Sequence, residues 1–355
     1  MEDASHIEFD QWPERVWRRK TPCVRLGIRA TAIIVETITG FGDVHDVTEL
    51  TEGKTNTNLR LDLASGRRFV LRLYEDTDNG PARERAVDEQ VTPEIAVAPL
   101  LGAIDDPDAQ LPPFVADELD GRSVGLFDWI DGHNPLDVLR RRDDTTGRDV
   151  AELLGSTLAR LSDIKRYDSP GLLDDHLNLR RQFASHRTAF VDFVDWSLTT
   201  GGAGDLLDGK LVDDLMRLVD HNATLLDELD GDARLVHGDY TFDNFIIESD
   251  GNTWSVAALL DWEFVRASTP MFDAARILRH ADVWSFDFVD AFRTGYTNGG
   301  GSLPRRWHDI SRLLDIQHLL GMLNGSSKRH PTIEAVQRLL HRRLDSPDLS
   351  SFPGI

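Results

Sequence analysis

The sequence predicts an α+β protein with two lobes, a small β-rich N-terminal lobe and a larger, mainly α-helical C-terminal lobe. The chain has 355 residues, a length at which two lobes are more usual than one. Short strands are indicated between about residue 47 and residue 130, whereas apolar residues beyond Gly132 recur mostly at helical spacing. We therefore expect an N-terminal extension over residues 1–30, an N-terminal lobe over 31–128 and a C-terminal lobe over 129–355.

The N-terminal lobe is organised around a predicted β-hairpin. Residues 59–63 alternate between leucine and charged residues, Ser65-Gly66 suits a tight turn, and residues 69–73 alternate again. A charged helix is predicted over Ala82–Val91, because Pro81 is well placed to start it.

The remaining elements of this half are less strongly indicated. The N-terminal extension contains a pattern typical of a short helix at Glu14–Lys20. Pro99, Pro112 and Pro113 are expected to separate short strands, which end in the apolar run 124–130.

The C-terminal lobe is predicted to be helical, with one β-rich island at residues 234–261. Helical spacing of apolar residues predicts helices at 150–161, 211–226, 310–323 and 332–344. The change from predicted strands to predicted helices near residues 127–132 indicates the connection between the lobes. Ligands tend to bind in clefts between such lobes.

Composition restricts the classes of function. The chain carries 61 acidic and 39 basic residues, which gives a formal net charge of −22 at pH 7. Nucleic-acid and anionic-membrane binders need basic surfaces, so we expect neither partner. Cys23 is the single cysteine, which excludes a disulfide framework and a cysteine-rich zinc site. No apolar stretch approaches the roughly 18 residues that span a bilayer, and the first residues lack a secretion signal, so we expect a cytoplasmic protein.

The excess of acid has two explanations that composition alone leaves open. Only five of the 39 basic residues are lysine, and the acidic residues are spread along the whole chain. Scarce lysine with dense acid is typical of adaptation to high salt, where screening tolerates the charge. The alternative is that the acid attracts a cationic substrate. We favour adaptation to salt.

The β-rich island brings three oxygen-bearing side chains to one end of a predicted strand pair. Asp239 follows one apolar strand, Asn244 precedes the next, and Asp261 follows the strand after that. Two carboxylates and a carboxamide oxygen are hard ligands suited to Mg²⁺. Phosphoryl transfer needs this arrangement, because the protein works by positioning the nucleophile and neutralising charge on the phosphates.

These residues carry a resemblance to the aminoglycoside phosphotransferase/choline kinase family, which shares the protein-kinase-like fold. The residues that meet the family pattern H-G-D-x-x-x-x-N are His237, Gly238, Asp239 and Asn244. The family's metal-binding triplet is matched by Asp261-Trp262-Glu263, and an aspartate about a dozen residues further on is matched by Asp273. The resemblance implies that Asp239 is the catalytic base and that Asn244 and Asp261 are magnesium ligands. It also implies that His237 and Asp273 support the catalytic loop.

The resemblance extends to the N-terminal lobe. Residues 51–58 lie where the family keeps a phosphate-covering loop, and Arg72 stands where protein kinases have a phosphate-binding lysine. Glu84 would pair with that cation, and the backbone of Phe127-Asp128-Trp129 would hydrogen-bond adenine or guanine. The residues assigned to the nucleotide in this way are Gly53, Asn56, Asn58, Arg72, Glu84, Phe127 and Trp129.

Some of these residues also have simpler explanations. Arg72 would be equally ordinary as a strand arginine on an exposed face, and Asp273 could cap a helix over residues 274–279. A lone histidine such as His237 is more often structural than catalytic, in keeping with a supporting role. Turn chemistry does not explain the joint placement of the two aspartates and the asparagine.

We therefore predict an ATP- or GTP-dependent small-molecule kinase that transfers the γ-phosphate to a hydroxyl of a small metabolite or an aminoglycoside-like acceptor. The alternative is a pseudokinase, a nucleotide-binding regulatory module without turnover, for which the arginine at position 72 is the one observation in favour. A protein kinase proper is not supported, because no D-F-G…A-P-E segment follows Asp261. The resemblance does not select the acceptor, whose pocket a helical insert over residues 165–230 would shape, and it leaves the oligomeric state open.

Overall fold

An antiparallel sheet of five strands forms the N-terminal lobe, with strand order β1-β2-β3-β5-β4. The computed structural model describes residues 12–13, 22–50, 55–75, 80–141, 143–324 and 330–344. The strands of this sheet are β1 (Val44–Leu50), β2 (Thr57–Leu63), β3 (Arg68–Leu73), β4 (Leu100–Ile104) and β5 (Val124–Asp128).

The predicted hairpin is confirmed as β2 and β3. Leu61 pairs with Phe69 across the two strands, and both side chains are fully buried. Gly66 occupies the turn with φ of +86°, a conformation that glycine adopts without the cost of a Cβ. Because side chains alternate along a strand, the residues between the buried leucines, including Arg72 on β3, face the cleft.

Among the described residues, four helices accompany this sheet, namely α1 (Ile28–Thr39), α2 (Pro81–Gln90), α3 (Pro107–Gln110) and α4 (Pro113–Leu119). The helix predicted at Ala82–Val91 is confirmed as α2. The expectation of strands around Pro112 and Pro113 is wrong, because Pro113 starts α4, where its missing N–H has no partner to lose. The helix α1 packs on the sheet through Ile34 and Val35. The boundary expected at residue 30, between the N-terminal extension and the N-terminal lobe, lies inside this helix.

The C-terminal lobe is mainly helical, as predicted. Its helices are α5 (Pro135–Arg141), α6 (Asp144–Ile164), α7 (His186–Thr199), α8 (Gly209–Asn222), α9 (Pro270–Ile277), α10 (Phe288–Asn298), α11 (Trp307–Leu323) and α12 (His330–Leu344). Its strands are β6 (Arg166–Tyr167), β7 (Gly171–Leu173), β8 (Leu179–Gln182), β9 (Ala233–Val236), β10 (Phe245–Ser249), β11 (Trp254–Leu259) and β12 (Arg266–Ser268). The insert at 165–230 is therefore not wholly helical, because three short strands open it. They extend a sheet of order β6-β9-β12-β7-β8, whereas β10 and β11 form a separate hairpin.

Two hydrophobic clusters correspond to the two lobes. One lies between the five-stranded sheet and α1 and α4, and the other fills the C-terminal lobe around α6, α9, α10 and α11. The C-terminal end of α2 belongs to the second cluster through Ala86 and Val87, so this helix joins the lobes. No helix among the described residues is long and apolar enough to cross a membrane.

The N-terminal extension contacts the C-terminal lobe through Trp12. Trp12 is buried and stacks on His280, with ring centroids 3.7 Å apart. The helix predicted at Glu14–Lys20 lies outside the described residues.

Candidate active site

The predicted catalytic loop connects β9 to β10 and turns at Gly238. This glycine has φ of +84°, and a Cβ placed on it would lie 2.1 Å from the carbonyl oxygen of Phe264. Only glycine fits that close approach between two backbone segments. The turn directs Asp239 toward the cleft, where its side chain is 21% exposed.

His237 supports this loop from inside the protein. Its ring is fully buried, and Nδ1 accepts a hydrogen bond from the backbone N–H of Asp239 at 3.2 Å. The ring proton therefore belongs on Nε2, which donates to the carbonyl oxygen of Leu260 at 2.8 Å. Burial lowers the pKa of His237 to about 4, so the ring is neutral near pH 7. These contacts tie the catalytic loop to the end of β11.

Asp273 holds the same loop through its backbone. The carboxylate accepts the N–H of His237 at 2.7 Å and the N–H of Gly238 at 2.8 Å. Burial raises the pKa of Asp273 to about 7, although both hydrogen bonds favour the charged form. The alternative that Asp273 caps a helix is wrong, because Thr269 caps α9 and Asp273 lies in its first turn.

The hairpin β10–β11 brings Asn244 and Asp261 to one end, as the sequence predicts. The backbone N–H of Leu260 donates to the carbonyl of Asn244 at 2.8 Å, which closes this end of the hairpin. Asp261 has φ of +67° and ψ of +67°, a left-handed conformation that is costly for a residue with a Cβ and is common at functional sites. This conformation places its carboxylate 3.4 Å from Nη1 of Arg72 in the other lobe.

The donor set fits a magnesium ion that is completed by phosphate oxygens. Nδ2 of Asn244 donates to the carbonyl oxygen of Asp239 at 2.7 Å and to its carboxylate at 3.1 Å, which leaves the amide oxygen as the ligand. Among the described residues, no three histidine, cysteine or acidic side chains gather around one metal position. Mg²⁺ commonly takes only one or two carboxylates from the protein, with water and substrate phosphates as its other ligands.

Arg72 lies between the lobes and is not a solvated strand residue. Its side chain is 14% exposed, and Nη1 donates to Glu84 at 2.8 Å while Nε donates to Asn58 at 3.1 Å. Burial raises the pKa of Glu84, and the neighbouring guanidinium opposes that rise. The pairing of Arg72 with Glu84 is therefore present, and Asn58 supports the arginine from β2.

The described part of the 51–58 loop reaches the triplet Asp261-Trp262-Glu263. Nδ2 of Asn56 lies 3.5 Å from Glu263, and its Oδ1 accepts the backbone N–H of Glu75 at 3.2 Å. Burial and the neighbouring Asp261 raise the pKa of Glu263 to about 8. Gly53 lies outside the described residues, so its predicted contact with phosphates is a prediction only.

The hinge residues Phe127 and Trp129 contact the arginines of the sheet. Phe127 is buried beneath Arg72, and the Trp129 ring lies 5.2 Å from the guanidinium of Arg60. The backbone N–H of Trp129 donates to the carbonyl oxygen of Arg68 at 3.3 Å. The backbone N–H of Asp128 donates to the carbonyl oxygen of Pro99 at 3.1 Å. Both N–H groups are already engaged in backbone hydrogen bonds. An adenine or guanine that accepts a hydrogen bond from either of them would first have to break the existing one.

Arg276 is the residue that sequence reasoning missed. Its Nη2 donates to Oδ1 of Asp239, and the arginine side chain is 11% exposed. The signal was available, because Arg276 follows Asp273 by three residues on a helix and both therefore face the catalytic loop.

The architecture is that of a protein-kinase-like phosphotransferase, in which a sheet lobe and a helical lobe hold two aspartates and an asparagine at their junction. The chain belongs to the phosphotransferase enzyme family, because the family model (APH) matches residues 46–310. This membership confirms the predicted family and identifies a phosphotransferase that acts on a hydroxyl group. No curated protein has a significant sequence match to the chain.

Solved structures confirm the predicted fold. The apo form of a thermostable mutant of aminoglycoside phosphotransferase APH(4)-Ia aligns with a TM-score of 0.65 and 14% identity, covering 89% of this chain and 98% of that one. The GDP and kanamycin complex of APH(2")-IIIa aligns with a TM-score of 0.65 and 15% identity, covering 88% and 97%. A putative aminoglycoside phosphotransferase from Ralstonia eutropha aligns with a TM-score of 0.62 and 16% identity, covering 91% and 98%.

Proposed function

We propose that this protein is a small-molecule kinase that transfers the γ-phosphate of ATP or GTP to an acceptor hydroxyl. The observation that carries the proposal is the convergence of Asp239, Asn244 and Asp261 beneath the buried pair of Arg72 and Glu84. Complexes of two structural neighbours, one with AMP-PNP and hygromycin B and one with GDP and kanamycin, support a nucleotide and a hydroxylated acceptor.

The nucleotide phosphates would lie at the pair formed by Arg72 and Asp261, whose side chains are 3.4 Å apart across the cleft and would separate to admit them. Arg72 would contact the α- and β-phosphates through its planar fork, with Glu84 and Asn58 fixing its direction. Asn244 and Asp261 would hold Mg²⁺, which when bound neutralises charge on the phosphates. Because Arg72 would make these contacts while it keeps its ion pair with Glu84, an arginine at this position is consistent with turnover as well as with binding alone.

Asp239 would accept the proton of the acceptor hydroxyl. Its carboxylate stands at the mouth of the C-terminal lobe, 21% exposed, on a loop that His237 and Asp273 fix at three points. Phosphoryl transfer passes through a loose transition state, so the main task of this residue is to orient the hydroxyl in line with the phosphorus atom. The rigid loop supplies that orientation.

Binding and turnover are measured separately to test the proposal. Calorimetry with Mg²⁺ and either ATP or GTP measures nucleotide affinity, and a screen of amino-alcohols, sugars and aminoglycosides at low and molar KCl measures phosphorylation. We expect micromolar nucleotide binding and at least one acceptor that Asp239→Ala cannot phosphorylate. Nucleotide binding with no turnover on any acceptor in either salt would contradict the kinase and favour the pseudokinase alternative.

A further inference from the structure

The helix α9 holds the catalytic loop with two side chains on one face. Asp273 accepts the backbone N–H groups of His237 and Gly238, whereas Arg276, three residues later, forms an ion pair with the side chain of Asp239. The helix itself is fixed at its start by the Thr269 cap, whose Oγ1 accepts the N–H of Met271 at 3.3 Å. One rigid element therefore fixes both the backbone of the loop and its reactive group.

Both oxygens of the Asp239 carboxylate are engaged. Arg276 donates to Oδ1, and Nδ2 of Asn244 lies 3.1 Å from Oδ2. The arginine is more deeply buried than its partner, with 11% of its side chain exposed against 21%. Buried charge-assisted hydrogen bonds of this kind are shorter and stronger than neutral ones, so they hold a side chain in one rotamer.

Arg276 is the cation closest to this carboxylate among the described residues. Other charged or titratable groups around the loop include Asp273 from α9, His318 from α11, Asp261 from the end of β11, Arg266 from β12, and His237, Tyr240 and Asp243 within the loop. His237 is neutral, and Arg266 contacts the Phe264 carbonyl and the ring of Phe272.

We propose that Arg276 is a positioning residue, which holds the carboxylate of Asp239 in the orientation that receives the acceptor hydroxyl. The inference rests on the proposed function, because it assumes that Asp239 is the base. A cation beside a base lowers its proton affinity. The lower proton affinity costs little in phosphoryl transfer, because proton transfer contributes less to the rate than alignment of the hydroxyl does. A carboxylate that is fixed in place therefore supports a faster reaction than one that is more basic but mobile.

Two variants and one control separate positioning from general stability. Arg276→Met removes the hydrogen bonds and keeps most of the side-chain volume, while Arg276→Lys keeps the charge without the planar fork. Arg279→Met is the matched control, because Arg279 is also buried and also pairs with an aspartate. It donates two hydrogen bonds to Asp315, at 2.6 Å and 2.8 Å, and neither residue belongs to the catalytic loop. All three variants lose part of a buried ion pair.

Crystal structures give the first readout, which needs no acceptor. In Arg276→Met we expect the Asp239 side chain to leave its rotamer, whereas in Arg279→Met it should stay. An unchanged Asp239 side chain in Arg276→Met would overturn the inference.

Steady-state hydrolysis of MgATP, with water as acceptor, gives the second readout. We expect Arg276→Met to lower kcat about 10- to 100-fold, the range expected for a misplacement of about 1 Å, with the KM for ATP within twofold of wild type. Arg276→Lys should recover at least part of that loss, and Arg279→Met should lower Tm without lowering kcat. Equal kcat in Arg276→Met and Arg279→Met would overturn the inference. Wild-type turnover in Asp239→Asn would instead show that the proposed function is wrong.

Discussion

Gly238 provides a direct test of the tight turn in the catalytic loop. The perturbation is Gly238→Ala, and the matched control is Gly251→Ala in the β10–β11 turn. Both glycines have positive φ, +84° and +95°, so both substitutions impose the same backbone strain of about 1 kcal/mol. The two sites differ in space, because a Cβ at Gly251 would meet nothing within 4 Å.

The cost of crowding at Gly238 follows from its neighbours. An added Cβ would lie 2.1 Å from the carbonyl oxygen and 2.7 Å from the carbonyl carbon of Phe264. Both atoms belong to the backbone, so relief requires one of the two segments to move, at a further cost of about 1–3 kcal/mol. We therefore expect Gly238→Ala to be destabilised by about 2–4 kcal/mol and Gly251→Ala by about 1 kcal/mol.

The movement would also displace Asp239, which directly follows the glycine. A displacement of about 1 Å costs on the order of 100-fold in turnover. Urea denaturation and MgATP hydrolysis measure the two effects, and Gly251→Ala should keep wild-type turnover. If Gly238→Ala is no less stable than Gly251→Ala and hydrolyses ATP at the wild-type rate, the close approach to Phe264 is not a constraint on the site.

Three further predictions concern charge. Arg72→Met should destabilise the fold by about 3–5 kcal/mol, because it leaves Glu84 buried without its cation. The double variant Arg72→Met/Glu84→Gln should recover stability but not affinity for MgATP. Thermal melts measure the stability of both variants, and calorimetry measures their affinity. Burial raises the pKa of Asp273 from 3.8 to about 7, so the folded protein holds that proton more tightly than the unfolded chain does, and the contribution of Asp273 to the free energy of unfolding falls as pH rises from about 4 to about 7. Asp273→Asn should remove this contribution, so the change in the free energy of unfolding between pH 5 and pH 8, measured by urea denaturation, should be more favourable in the variant than in wild type. Kinase activity should rise with molar KCl if the charge of −22 reflects adaptation to salt, and an optimum without added salt would favour a cationic substrate instead.

Local patterns predicted the parts of the fold that depend on local physics. The alternation around Leu61 and Phe69 specified a hairpin, because one face of the strands had to be buried. The spacing of Asp239, Asn244 and Asp261 placed them at one end of a strand pair without knowledge of the other lobe.

What the sequence did not reveal depends on long-range packing. Pro112 and Pro113 suit a strand boundary or the start of a helix equally well, and packing on the sheet decided for the helix α4. The strands β6–β8 are two to four residues long, too short to show a period. They form because β6 pairs with β9, β7 pairs with β12, and β8 pairs in turn with β7. The spacing of Arg276 from Asp273 places both on one helix face, but the contact of Arg276 with Asp239 depends on the fold that brings α9 against the catalytic loop.

The central claim is that Asp239 is the base of a phosphoryl-transfer site. The most direct measurement compares wild type with Asp239→Asn, which keeps the size of the side chain and its contact with Asn244. With any acceptor that the wild type phosphorylates, we expect Asp239→Asn to lose at least about 1,000-fold in kcat while its Kd for MgATP stays within about threefold. Turnover within tenfold of wild type would contradict the claim.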